Sequence, residues 1–143
     1  MPLVNMRSLL AGAQKSNRAV GAFNVGNMEM VLGVIRAAEQ TGTPVIMQIA
    51  EGRLPFSPLE ILGPSMIAAA KMSSAPVAVH LDHGKTLHTI QLALELGFTS
   101  VMFDGSALPL EENISQTCLL YTSCQMTGAF LIPFPKNPLV SSP

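Results

Sequence analysis

From about residue 19 to residue 117 the chain alternates short, nearly continuous apolar runs with longer segments of helical period. Such alternation restricts it to βαβ units around a parallel sheet. The strand candidates are residues 19–25, 45–50, 77–82 and 100–104. Runs that are apolar at nearly every position suit strands covered by helices on one face and by a core on the other. Their spacing of roughly 25–30 residues fits β/α repeats, and a complete eight-unit barrel takes about 250 residues. The expected fold is therefore α/β, a partial TIM (β/α)8 barrel of roughly the first four β/α units.

The segments between the strands carry helix start and stop signals. Asn27 can cap a helix whose apolar face reads Met28, Val31, Leu32, Ile35 and Ala38, with Gly42 and Thr43-Pro44 ending it. Ser57-Pro58-Leu59-Glu60 reads as a capping box with Pro at the first helical position. A further helix spans roughly 86–96 and closes at Gly97, and an amphipathic segment over 6–14 can plug the bottom of a barrel. From Cys118 onward the pattern changes: no acidic residue follows, and four prolines do. The helix that opens at 111–117 is abandoned in mid-pattern, which fits a truncated or frame-shifted reading frame better than a genuine Pro-rich extension. Residues 1–117 are thus read as the N-terminal half of a barrel and 118–143 as an atypical, non-native tail.

Composition removes several classes of function. Hydrophobic residues make up 48% of the chain and charged ones 12%, enough to bury a core. A formal net charge of -1 leaves no basic stripe for a nucleic acid. The N-terminal apolar stretch is too short and too soon interrupted for a signal or membrane segment, so a cytoplasmic protein is expected. Cys118 and Cys124 have no spaced partner pair and support neither a disulfide framework nor a zinc ribbon.

In a barrel of this kind the active site forms where the C-terminal strand ends converge. Those ends read Asn24, Ala50-Glu51-Gly52, His80-Leu81-Asp82-His83-Gly84 and Asp104-Gly105-Ser106. Side chains alternate along a strand, so Ala78, His80 and Asp82 share one face and Val77, Val79 and Leu81 the other, with His83 where the backbone turns. Imidazole is a common zinc ligand, and a carboxylate beside it is placed to exchange a proton with a substrate hydroxyl. Read alone, the motif equally allows His80 and Asp82 to do no more than pair with backbone groups in the barrel mouth.

The segment Val77-Ala78-Val79-His80-Leu81-Asp82-His83-Gly84 resembles the first signature of the class II fructose-bisphosphate and tagatose-bisphosphate aldolases. Met1-Pro2-Leu3-Val4, residues 19–25, Thr43-Pro44-Val45-Ile46, residues 97–104 and residues 108–114 resemble the same family in the same order. The resemblance implies a zinc-dependent lyase that reversibly cleaves a ketose 1,6-bisphosphate to dihydroxyacetone phosphate and glyceraldehyde 3-phosphate. It matches Asp82 to the catalytic proton donor, His83 to a catalytic zinc ligand, Asp104 to a carboxylate that in some members holds a second divalent cation, and Asn24 to a residue near the substrate. As alternatives, Asp104 can cap the next turn and Asn24 can hydrogen-bond the turn before Asn27. His80 is a structural member of the signature and His88 a helix-surface residue. A phosphorylated sugar substrate and a homo-oligomeric assembly are also implied.

Zinc stabilises the charge left by carbon–carbon cleavage as a Lewis acid, so no Schiff-base lysine is needed. That agrees with Lys15, Lys71 and Lys85 lying outside the apolar strands. The sequence departs from the family in two ways. The other zinc histidines, the second signature and the phosphate loops do not follow Thr117, and Ala50 stands where many relatives carry a substrate-contacting Ser. A catalytically inert half-barrel of the same family is therefore the alternative reading for this polypeptide, with Glu51 no more than a solvated loop charge.

Overall fold

A computed structural model describes residues 2–134 of the chain. Its elements run α1 (Met6–Lys15), β1 (Gly21–Asn24), α2 (Met28–Thr41), β2 (Val45–Ala50), a single 3-10 turn (Glu51–Arg53), α3 (Leu59–Met72), β3 (Val77–Gly84), α4 (Leu87–Glu95), β4 (Ser100–Asp104), α5 (Leu110–Thr127) and β5 (Phe130–Phe134). The strands form one sheet in the order β1-β2-β3-β4-β5, every neighbouring pair parallel. This is a partial TIM barrel with five strands, one more than the four units read from the sequence. No described helix is long and apolar enough to cross a membrane.

The two sheet faces have different partners. Val45, Met47, Ile49, Val77, Val79, Leu81, Val101 and Phe103 point outward into the main core, where Val31 and Ile35 of α2, Leu59 and Met66 of α3, and Ile90 of α4 cover them. Ile46 and Ala78 point inward and meet Met6 and Leu9 of α1. The chain's first residues fix α1 there, because Val4 N–H donates to the Val77 carbonyl and Val77 N–H to the Pro2 carbonyl. Asn5 then caps the helix by accepting from Arg7 N–H. The amphipathic 6–14 segment thus closes the bottom of the inner face, as its pattern implied.

The Asn27 cap of α2 forms, its side chain accepting from Met30 N–H, and Gly42 ends that helix in the left-handed region. The capping box at 57–60 does not form. Pro58 takes the cap position of α3 without a side-chain bond, and the buried Ser57 hydroxyl donates instead to the Gly26 carbonyl. A bond between two strand-end loops displaces the local one, because a buried hydroxyl needs its partner wherever the fold supplies it.

Helix α5 continues across residue 117 to Thr127, burying Leu120 and Cys124, and β5 then pairs with β4 over five residues. The pattern looked abandoned at 118 because Leu119, Tyr121 and Met126 are exposed and blur the apolar stripe. Residues 135–143, which hold most of the Pro-rich tail, lie outside the described residues. If 118–134 is an integral part of the fold, Leu120→Ala lowers the unfolding free energy by roughly 2–5 kcal/mol. The exposed Leu119→Ala changes it by about 0.5 kcal/mol or less. Urea unfolding of both variants checks the contrast, and equal effects would contradict it.

Candidate active site

All five strands are parallel, so their C-terminal ends share one rim, and β3 contributes most to it. Its pairing with β4 slips there: Leu81 pairs with Val101 and Gly84 with Phe103, so Asp82 and His83 together oppose the single residue Met102. In regular alternation these neighbours would face opposite sides of the sheet. The bulge re-aims the second of them. His83 adopts φ 110, a conformation costing a non-glycine residue of order 1–3 kcal/mol. His83 Nε2 consequently lies 3.6 Å from Asp82 Oδ1, and its Nδ1 lies 3.0 Å from Asp104 Oδ2. Gly84 makes this possible by having no side chain, since a Cβ there would stand 2.6 Å from Ile90 Cγ1 and 3.0 Å from the Met102 carbonyl oxygen.

Asp82 is held from the side of β2 and β1. Gln48 Nε2–H donates to its Oδ2 at 3.0 Å, and Asn24 Nδ2–H reaches the same oxygen at 3.4 Å. Asn24 therefore points at the carboxylate and not at the turn before Asn27. Gln48 was missed in the sequence. Its signal was a polar residue at an inward position of an otherwise apolar run, in register with Asn24 on one side and His80 on the other. Ala50 pairs with Asp82 and brings only a methyl group to the rim.

Asp104 caps its own turn and also holds His83. Ser106 Oγ–H donates to Oδ1 at 2.6 Å and Ser106 N–H at 3.2 Å. Hydrogen bonding from the Ser106 hydroxyl, opposed by burial and assisted by His83, keeps the Asp104 carboxyl below the usual carboxylate range. One layer down, His80 is buried, with Nδ1 2.9 Å from Ser100 Oγ, which in turn lies 3.3 Å from Met6 Sδ. Burial pulls its imidazole down to about 4 against the opposing field of Asp82. It lies beneath the rim, buried and held in its neutral form near pH 7. His88, Lys15, Lys71 and Lys85 are exposed on helices or loops.

Asn24, Asp82, His83 and Asp104 thus come together at one mouth. The donor chemistry suits zinc in part. An imidazole whose Nδ1 is fixed by a carboxylate is the usual arrangement of a metal-binding His, with Nε2 as the coordinating nitrogen. A catalytic zinc takes three protein ligands, however. Among the described residues, no group of three or more His, Cys, Asp or Glu is arranged to hold a metal ion. These residues do not by themselves supply such a ligand set.

A sequence model of the family described as "Fructose-bisphosphate aldolase class-II" matches residues 4–131. The fructose-bisphosphate aldolase of Giardia intestinalis is 43% identical over 118 residues, covering 82% of this chain and 36% of that protein. The sulfofructosephosphate aldolase of Alkalicoccus urumqiensis is 38% identical over 128 residues, covering 90% of this chain and 45% of that protein. Among solved structures, the YdjI aldolase from Escherichia coli K12 superposes with a TM-score of 0.86 at 33% identity, over 92% of this chain and 51% of that one. The chain spans about half or less of the length of the relatives it matches.

The buried His80 sets a pH dependence whose sign is fixed. Its folded pKa of about 4 lies below the ordinary 6.5, so the unfolded chain binds the extra proton between those values and stability is lost as pH falls through them. The loss approaches about 3 kcal/mol by pH 4. Asp104, depressed from 3.8, adds to it only at lower pH. Chemical denaturation between pH 7 and 4 should show this slope in the wild type and a flatter one in His80→Asn.

Proposed function

Because the chain belongs to the class II fructose-bisphosphate aldolase family, we propose that it carries the proton-transfer part of a zinc-dependent ketose-bisphosphate aldolase site. The observation that carries the reading is the pairing of Asp82 with His83 on one rim, in the segment that resembles the family signature. Asp82 Oδ2 is occupied by the amides of Gln48 and Asn24, which makes Oδ1 the oxygen that exchanges a proton. In cleavage Asp82 takes the proton of the substrate hydroxyl beside the breaking carbon–carbon bond, and in condensation it returns that proton to the aldehyde oxygen. Asn24, next to this carboxylate, is placed to touch the substrate as well.

His83 is the zinc ligand in this reading, its ring oriented by Asp104. Zinc, when bound, supplies a Lewis acid for the negative charge that builds beside the ketone. A second divalent cation at Asp104 would share a carboxylate that already bonds His83 through Oδ2 and accepts from Ser106 through Oδ1. The substrate is a phosphorylated ketose, fructose or tagatose 1,6-bisphosphate, and the complete enzyme is a cytoplasmic homo-oligomer. The relatives' names differ in the sugar phosphate, and the reading is confined to that class.

A second reading applies to the 143-residue polypeptide by itself: it is inert, because the remaining zinc and phosphate ligands lie outside it. The incomplete metal-ligand set among the described residues favours this. Zinc-supplemented cleavage of both bisphosphates, measured for this chain and for a gene product extended to the relatives' length, separates the readings. The aldolase reading expects turnover in at least the longer protein, with kcat reduced roughly 10²–10⁴-fold by Asp82→Asn. Turnover confined to the longer protein supports the inert reading of the short one. No turnover in either, or turnover that Asp82→Asn leaves intact, contradicts the proposal.

A further inference from the structure

The strained turn at His83 needs support that strand pairing cannot give, because the ladder skips at that point. One support is Asp104 on the β4 side. On the β2 side stands Glu51, the first residue of the 3-10 turn after β2. Its carboxylate crosses to the next unit and accepts from two backbone N–H groups and from a pair of linked threonine hydroxyls. Oε2 takes the backbone N–H of Lys85, in a short contact, and that of Thr86 at 3.3 Å. Oε1 lies 3.2 Å from Thr86 Oγ1 and 3.0 Å from Thr89 Oγ1, hydroxyls that are 2.8 Å from each other, so one of their protons bridges the pair and the other is donated to Oε1. Lys85 and Thr86 are the residues that follow His83-Gly84, and Thr86 is the cap of α4, accepting from Thr89 N–H.

A solvated loop charge would not spend both oxygens this way. The carboxylate meets the N–H groups of the two residues that lead into α4, at the helix end where negative charge is favoured. Hydrogen bonds to an ionised acceptor are also the stronger kind. From these contacts we propose that Glu51 is a positioning residue: by gripping the β3–α4 turn it holds the bulge that turns His83 and Asp82 to the same rim. Its hydrogen bonds reach the backbone just beyond them, at Lys85 and Thr86. The catalytic consequence rests on the aldolase reading, whereas the geometric one stands apart from it.

The test is imidazole 15N NMR of the chain at one fixed pH, with amide hydrogen exchange, for the wild type, Glu51→Ala and Glu51→Gln. In Glu51→Ala the Lys85 and Thr86 amides should exchange roughly tenfold faster or more. The His83 ring signals should move towards those of exposed His88, while those of His80 stay in place. Glu51→Gln retains one acceptor oxygen and should fall between the two. If the Ala variant does not fold, the Gln variant decides alone: displaced His83 signals support positioning. Unchanged His83 signals in a folded variant overturn it. In the aldolase assay the same substitutions in the protein extended to the relatives' length should lower kcat, by roughly 10²-fold for Ala, with KM near the wild-type value. An extended wild-type protein without turnover would count against the aldolase reading alone, since the spectra report the turn independently of it.

Discussion

Everything chemical in this chain depends on a one-residue irregularity in β3. A regular parallel strand would send Asp82 and His83 to opposite faces, one into the barrel mouth and the other into the helix layer. The bulge opposite Met102 puts them 3.6 Å apart at one edge. That arrangement is paid for with a left-handed His83 and a glycine at 84 that no larger residue can replace without striking Ile90 and the backbone of β4. Asp104 and Glu51 bracket the strained turn, each from the end of a neighbouring unit.

The inner face is graded from bottom to top. Apolar contacts between α1 and Ile46 and Ala78 close the lower end. His80 and Ser100 form a buried polar pair in the middle layer, and carboxylates and amides gather above it. Because α1 and the sheet keep water from His80, its imidazole stays neutral and serves packing, while His83, three residues on and partly exposed, is accessible to a ligand. Two histidines of one motif thus meet different environments at different depths.

Much of this was legible in the sequence because the signals were local. β2 and β4 fall where the apolar runs placed them, Asn27 caps α2, Gly42 ends it, and the residues at the strand ends meet at one rim. What was not legible depends on partners far along the chain. The two-residue extension of β3 and its bulge arise from pairing with a strand about twenty residues away. Ser57 forgoes its local cap for a carbonyl 31 positions distant, and Glu51 finds donors 34 to 38 positions on. Gln48 looked like a polar lapse in an apolar strand until register set it beside Asp82. Past residue 117 the apolar stripe of α5 is blurred by exposed Leu119, Tyr121 and Met126, and the helical period fades although the helix does not.

The central claim is that the bulge presents His83 to a metal beside Asp82. Anomalous scattering at the zinc edge from crystals of the zinc-loaded protein tests it most directly. The account predicts zinc on His83 Nε2 at roughly 2.0–2.1 Å, with Nδ1 still on Asp104 and Asp82 on the same side of the sheet. Zinc bound without His83, or a regular β3 that turns His83 away from Asp82, would contradict it.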